Sequence, residues 1–390
     1  MMFNMKHKSL RQILNNWWSD LDKYSYRDQL SFNPAIAQAN EKYYPLAQKG
    51  ISPHNSNKYF SYSLHDHNNG VSRCITESFC KNWINPWAGE SFSMHKSAKI
   101  PHAQELVIDV CIYACGELQS IKTCLKSLFS SSKIYNKIII IDDYSENDIQ
   151  NYLYEISKYK KNINLIRNKS PFGYTKSINK AIRTSEADFI ILLSSNMIVT
   201  ENWAEKMAVA ILESEGAEIV GPLSNVAGYQ SIPSLLSAGD DTTINLLPSE
   251  ISPHNLNDLC EIWAADSYYP RVPLVHSSCL GMTRTVIKKL TGFDEFNFPH
   301  SYGAIDDFSF RASNAGIDKI IATNTYIYSQ SSVLSERDFQ IMRESSKKLL
   351  ELYGESRILR AHNTMKGNPT LAEMRKRMQF VYDSYINQHF

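Results

Sequence analysis

Between residues 107 and 194 the chain alternates short β-rich apolar runs with stretches of helical period, and that alternation predicts a mainly parallel sheet with crossover helices. The runs Val107 to Tyr113, Lys137 to Ile141, Ile163 to Arg167 and Asp188 to Leu193 are too short and too β-rich for helices. Between them, Glu117 to Phe129 puts Ile121, Leu125 and Leu128 on one helical face, and Asp148 to Lys158 and Thr175 to Thr184 read as further helices. The fold class is therefore α/β with a Rossmann-like half. In such sheets ligands bind at the carboxyl ends of the strands. Those ends are Tyr113 to Glu117, Asp142 to Ser145, Asn168 to Lys176 and Ser194 to Asn196, so four loops converge on one crevice.

The flanks read differently. From Ser9 to Tyr24 the residues Leu10, Ile13, Leu14, Trp17, Leu21 and Tyr24 recur at helical spacing behind a capping serine. Residues 40–104 are rich in Asn, His, Ser, Pro and aromatics without a period, and His65-Asp66-His67 there lacks the further ligands that a zinc site needs. Toward the other end, Ser335 to Asp338 resembles a capping box opening a helix that Gly354 ends. Thr370 to Glu373 is a second box, ahead of a stripe of Leu371, Met374, Met378, Val381 and Tyr385. The organisation expected is 1–104 helix and loops, 105–334 the α/β domain, and 335–390 a helical extension.

Composition narrows the partners. Lys and Arg number 41 against 40 Asp and Glu in 390 residues, so no whole-chain field attracts nucleic acid. Seven cysteines, an odd number, fit a reducing, cytoplasmic setting better than a disulfide framework. No apolar run reaches the roughly 18 residues of a bilayer span. The expectation is a soluble protein, at most peripheral to the inner face of a membrane.

Several short motifs, in order, resemble the family-2 glycosyltransferases of the GT-A fold. They are Val110 to Tyr113, Asp142-Asp143-Tyr144-Ser145, Arg167-Asn168 with Gly173 to Asn179, Val199 to Trp203, Gly221 to Asn225, Gly292 to Glu295, and Tyr302-Gly303 followed by Asp306-Asp307-Phe308. The resemblance implies a nucleotide-sugar donor, UDP- or dTDP-linked, bound by Tyr113, Ala114, Gly116, Glu117, Asp142, Asp143, Gly173, Lys176, Ser194, Ser195 and Asn196. Asp142 or Asp143 would accept the imide hydrogen of a pyrimidine base. The acceptor would be a glycan or lipid-linked glycan, and the transfer inverting. A fainter resemblance covers Trp17-Trp18, Arg27 to Phe32, Asn57 to Phe60 and His65, which are similar to the tail of another glycosyltransferase-like domain. It leaves open whether residues 1–70 are a remnant of a larger two-enzyme chain or, the preferred reading, a helix-loop cap on the catalytic domain; a partner glycosyltransferase is a further expectation.

The departures from the family carry the chemistry. Where the family has a metal-binding Asp-x-Asp, this chain has Ser194-Ser195-Asn196, and Tyr326 to Gln330 lacks the family's histidine. Hydroxyls and amides bring no charge to offset dehydration of a hard cation, so no tight Mn²⁺ or Mg²⁺ site is expected. Lys169, Lys176, Lys180 or Arg311 would then have to meet the charge on the leaving phosphate. At the usual position of the catalytic base stand Ala304 and Ile305, which leaves Asp306 or Asp307 to take the acceptor proton. Alternatively Asp306 caps a helix from Asp307 to Asn314. Two functions remain open from sequence: a metal-independent transferase, or a degenerate domain that binds nucleotide, glycan or a partner enzyme without transfer.

Overall fold

The computed structural model describes residues 106–386, apart from 133, 236–244, 249, 265–268 and 331–335. The helix expected at Ser9 to Tyr24, the His65/His67 pair and the fainter N-terminal resemblance lie outside the described residues.

The four expected strands form as β1 (Ile108–Ala114), β2 (Tyr135–Asp142), β3 (Ile163–Arg167) and β4 (Phe189–Ser194). They pair in parallel in the order β3-β2-β1-β4. Ile138 to Ile141 are wholly buried, as continuous apolar runs must be when helices cover both faces of a sheet. The side chains divide by the two-residue period. Cys111, Ile139, Ile141, Ile190 and Leu192 enter one core layer, and Val110, Ile112, Ile138, Ile140, Ile191 and Leu193 enter the other. Helix α1 (Leu118–Ser131) closes the second layer with Ile121, Cys124, Leu125 and Leu128. Helix α3 (Tyr174–Thr184) closes the first with Ile178, Ala181 and Ile182, while α2 (Asn147–Tyr159) buries Leu153.

Beyond residue 194 and before the C-terminal helices, the pattern delimits only a helix at 307–314, and the structure adds the rest. The elements of this part are β5 (Met197–Ile198), α4 (Trp203–Leu212), β6 (Ala217–Ser224), α5 (Pro253–Ala264), β7 (Cys279–Thr283), α6 (Arg284–Leu290), α7 (Ala304–Asn314) and β8 (Asp318–Ser329). Strand β7 runs antiparallel between β4 and β6, and β8 runs parallel to β6. Because β7 is reversed, its first residues lie at the sheet edge where β4 and β6 end.

The C-terminal helices α8 (Glu336–Tyr353), α9 (Glu355–Lys366) and α10 (Pro369–Ile386) complete the described fold. Ala361, Met365, Leu371, Met374, Met378, Val381, Tyr382 and Tyr385 share a core layer with Cys111 and Ile139 of the sheet. The stripe on α10 is thus an interior packing face and the helices belong to the same packed body as the sheet. Helix α10 begins differently from the expected box: Asn368 Oδ1 accepts the Leu371 N–H at 3.0 Å and Pro369 opens the first turn. No helix of the described residues is long and apolar enough to cross a membrane.

Candidate functional site

The strand ends meet as the α/β pattern requires. At the end of β2, Asp142 is buried, bridges to Arg167 at the end of β3, and accepts the Ser145 N–H at 2.8 Å. Asp143 organises the neighbouring loop. Its Oδ1 accepts from Asn168 Nδ2 (2.7 Å) and the Phe172 N–H (2.8 Å), and its Oδ2 from Tyr113 Oη (3.0 Å) and the Gly173 N–H (2.9 Å). Burial works against its charge, but these donors outweigh it and hold the carboxyl below its ordinary range. The Tyr113 hydroxyl is pushed upward by burial and by Asp143. A carboxylate has about four lone-pair directions, and Asp143 has a donor on each. The expected contact with a base imide therefore requires one donor to give way; of the two side-chain donors, Asn168 is also tied to Ser177 and Lys180, which leaves the Tyr113 hydroxyl to turn aside.

Gly173, at φ +82°, stands before α3 with its Cβ position 3.1 Å from the Pro299 carbonyl, so a side chain there would meet backbone. Lys176 is exposed in the first turn of α3, its ammonium 4.3 Å from the centre of the Phe172 ring. Lys180 instead donates to Asn168 Oδ1 at 2.9 Å. Ala114 is buried, whereas Gly116 and Glu117 are exposed where the chain leaves β1. Outside the Asp142–Arg167 bridge lies an open depression of about 540 Å³ lined by Tyr144 to Asp148 and Arg167. Glu146 and Asp148 on its wall make it unsuited to a diphosphate.

The second corner lies at the end of β4. Ser195 Oγ donates to the Cys115 carbonyl (2.7 Å) and accepts from the Cys115 N–H (3.2 Å), which ties this loop to β1. Asn196 Nδ2 donates to Ser329 Oγ (3.3 Å) and the Gln330 carbonyl (3.2 Å); Gln330 Nε2 donates back to the Asn196 carbonyl (3.1 Å). The two sequence segments expected to share a metal corner do meet, but as an amide latch. Its side chains are neutral hydroxyls and amides, and no group of three His, Cys, Asp or Glu among the described residues is placed to hold a metal. This donor set does not fit a hard divalent cation.

The acceptor side departs from expectation in one respect. Helix α7 starts at Ala304, three residues earlier than the sequence reading, because Gly303 takes a left-handed conformation (φ +75°) at its N-cap. Asp306 and Asp307 thus occupy the first turn, and Asp306 does not cap the helix. Asp307 is buried, accepting from Arg311 Nε (2.8 Å) and Tyr353 Oη (2.6 Å). Arg311 also donates to the carbonyls of Leu290 (3.1 Å) and Gly292 (3.0 Å), so neither it nor Asp307 presents its charge to a ligand. Asp306 is half-buried, and Ile305 at the family's base position is in the core.

His276 joins the crevice edge although the sequence reading passed over it, since a single His in an irregular stretch gives no periodic signal. It lies three residues before β7, at the carboxyl end of β4, where Ser278 accepts the Ser194 N–H through its carbonyl (3.0 Å). Its Nδ1 accepts the Ser278 N–H (3.2 Å) and faces Ser278 Oγ (3.0 Å), and the His276 N–H donates to Gln230 Oε1 (2.7 Å). Burial pushes the imidazole down to about 4. Between pH 6.5 and 4 the unfolded chain takes up the proton while the native state does not, so stability falls as pH falls through that window. The cost reaches at most about 3 kcal/mol. His276→Gln is expected to flatten urea-unfolding stability across that range; an unchanged slope would place the acid sensitivity elsewhere.

A Rossmann-like half sheet carrying Asp-Asp and Gly-Tyr-Thr-Lys loops at its strand ends, extended by antiparallel β7, is the arrangement of the GT-A fold. Residues 109–232 match the family model described as "Glycosyl transferase family 2". An uncharacterized glycosyltransferase of Haemophilus influenzae (strain ATCC 51907 / DSM 11121 / KW20 / Rd) is 23% identical over 207 residues, 52% of this chain. The chain covers 58% of that relative's length. Solved structures that resemble it include GalNAc-T7 with UDP, GalNAc and Mn²⁺, at 13% identity and TM-score 0.49, covering 72% of this chain and 54% of that one. S. aureus TarS 1-349 in complex with UDP is similar at 15% identity and TM-score 0.41, covering 70% and 71%. Mannosyltransferase PcManGT from Pyrobaculum calidifontis, with GDP-Man and Mn²⁺, reaches 10% identity and TM-score 0.41 over 81% and 94%.

Proposed function

We propose that this chain transfers a sugar, with inversion, from a UDP- or dTDP-linked donor to a hydroxyl of a glycan or lipid-linked glycan, without a protein-held divalent cation. The observation that supports this most is the pairing of an intact strand-end loop, ordered by Asp143, with a neutral amide latch where a cation would need carboxylates. The base half of the donor would sit over Tyr113 and Asp143, the Tyr113 hydroxyl turning aside to free an oxygen for the imide. As the new glycosidic bond forms and the bond to phosphate breaks, charge grows on the leaving diphosphate. Lys176 supplies the compensating cation. It stands at the positive end of α3, and no carboxylate among the described residues pairs with it. Asp306 takes the proton of the attacking hydroxyl.

The reading is tested by calorimetry of UDP, dTDP and GDP with Mn²⁺ and again with EDTA, followed by donor hydrolysis without acceptor. Binding of a pyrimidine nucleotide that EDTA leaves unchanged supports it; strict metal dependence refutes the cation-free part. Asp306→Asn is expected to slow donor hydrolysis about 10²- to 10⁴-fold while donor affinity stays within about twofold. A full rate in this variant removes Asp306 from the mechanism.

A second reading, a donor-binding domain that no longer transfers sugar, is favoured by Ile305 in the core and by Asp307 being held by Arg311 and Tyr353. Nucleotide binding with no turnover of any donor would select it.

A further inference from the structure

The depression outside the Asp142–Arg167 bridge has no part in the transfer proposed above. Its wall is one run of chain, Tyr144 to Asp148, closed by Arg167. Within that wall the backbone of Ser145 is fully engaged: its N–H donates to Asp142 Oδ1 (2.8 Å) and its carbonyl accepts from Arg167 Nη2 (3.0 Å). The Ser145 hydroxyl is not. Its Oγ is buried and has no partner among the described residues. Leaving a buried hydroxyl unpaired is unfavourable, and rotation about χ1 can offer it to a ligand in the depression. Glu146 follows as the N-cap of α2 without making a side-chain capping bond, so its carboxylate is also left for a partner outside the helix.

Tyr144 supplies an apolar surface. It is 55% exposed, and the Arg167 guanidinium covers one face of its ring, 5.3 Å from the centre, which leaves the other face for a ligand. The backbone there has φ +66°, a conformation that Gly or Asn adopts more easily, so the turn itself gives no reason for an aromatic residue. Charge and lining narrow the ligand. Glu146 and Asp148 are exposed, while the charge of Arg167 is already met by buried Asp142. The surplus is negative, which disfavours phosphates, nucleic acid and anionic lipid headgroups. No aliphatic side chain is among the described residues of the wall, which disfavours an acyl chain or an apolar peptide face. A neutral sugar fits both conditions: its hydroxyls donate to carboxylates and exchange hydrogen bonds with hydroxyl and amide groups, and its C–H face packs on an aromatic ring.

We propose that this depression is a second carbohydrate site, separate from the transfer site, which holds a residue of a neutral oligosaccharide against Tyr144. The sugar ring stacks on the free face of Tyr144, its hydroxyls donate to Glu146 and Asp148, and one of them pairs with Ser145 Oγ. By strand order the site stands at the β2–β3 edge, two to three strand spacings or about 10–14 Å from the Ser194–Asn196 corner. A glycan anchored there raises the local concentration of its own chain near the crevice. That use of the bound glycan rests on the transferase reading above; the binding itself does not.

The test is saturation-transfer NMR on the full chain, with maltotetraose, cellotetraose and chitotetraose as neutral probes and spermidine as a cationic one. At least one tetraose is expected to bind saturably below about 10 mM. Tyr144→Asn keeps a residue suited to left-handed backbone and should weaken that binding at least about tenfold, with the melting temperature within about 2 °C of the wild type. Ser145→Ala should weaken it about three- to tenfold and melt at or above the wild type, because it removes an unpaired buried hydroxyl. Saturating UDP should leave the tetraose affinity unchanged. No saturable binding of any tetraose, or binding that both variants retain in full, would overturn the proposal. Spermidine as the only probe lost in Tyr144→Asn would overturn it by making this a cation site, and displacement of the tetraose by UDP by returning the sugar to the donor site. A drop of more than about 5 °C in the melting temperature of Tyr144→Asn would make the ring a structural element and count against it as well. Failure of UDP to bind at all would count against the transferase reading and leave the tetraose result to be judged on its own.

Discussion

Asp307→Ala is expected to lower the unfolding free energy by about 3–5 kcal/mol, measured by urea denaturation. The carboxylate is buried and shared between Arg311 Nε and Tyr353 Oη, so it joins α7 to the end of α8. Truncation leaves the Arg311 guanidinium, whose Nη2 already lacks a partner, without its counter-ion, and strands the Tyr353 hydroxyl. Asp307→Asn retains an acceptor and a donor of the same shape and should cost less, about 1–3 kcal/mol. A loss below about 1 kcal/mol for Asp307→Ala would show that the network is not what holds α8 against α7. The consequence for function is direct. Lost activity in an Asp307 variant reports loss of this junction, whereas lost activity in Asp306→Asn with unchanged stability reports chemistry.

Asp143→Ala is expected to cost about 2–4 kcal/mol and to weaken pyrimidine nucleotide binding at least about tenfold. Four donors converge on this side chain, two of them the backbone N–H groups of Phe172 and Gly173, which fix the loop from β3 into α3. Removing the acceptor frees that loop and moves Lys176 with it. Hydrogen exchange at the Phe172 and Gly173 amides should accelerate in the variant, and unchanged protection there would contradict this role. The pH dependence is separable from that of His276. A carboxyl held below its ordinary range contributes stability above pH 3.8 and loses it as pH falls further, below the window in which His276 acts.

The first half of the domain was legible because its strands are continuous apolar runs and its helices carry one clear stripe each. The strand ends matched expectation to within one residue at β1, β3 and β4 and within two at β2. The second half gave little periodic signal. Strand β8 holds Thr323, Asn324 and Thr325 in its middle: Asn324 donates to Tyr269 Oη and accepts from Thr325 Oγ1, while the Thr323 hydroxyl is buried without a partner among the described residues. Strand β7 is five residues long and includes Gly281, which is there because a Cβ would come within 2.5 Å of Phe189. Neither feature is visible until the neighbours are in place.

For the site, spacing along the chain determined which loops reach the crevice, and residue identity determined that the corner at Ser194 to Asn196 is neutral. Those follow from sequence because strand period and side-chain chemistry are local properties. Which charged groups remain open to a ligand was decided only by the tertiary structure. Asp307 and Arg311 satisfy each other, with help from Tyr353 46 residues further along, while Lys176 stays exposed beside the Phe172 ring. The cost of a charge depends on what shares its desolvated surroundings, and those surroundings are assembled from distant parts of the chain.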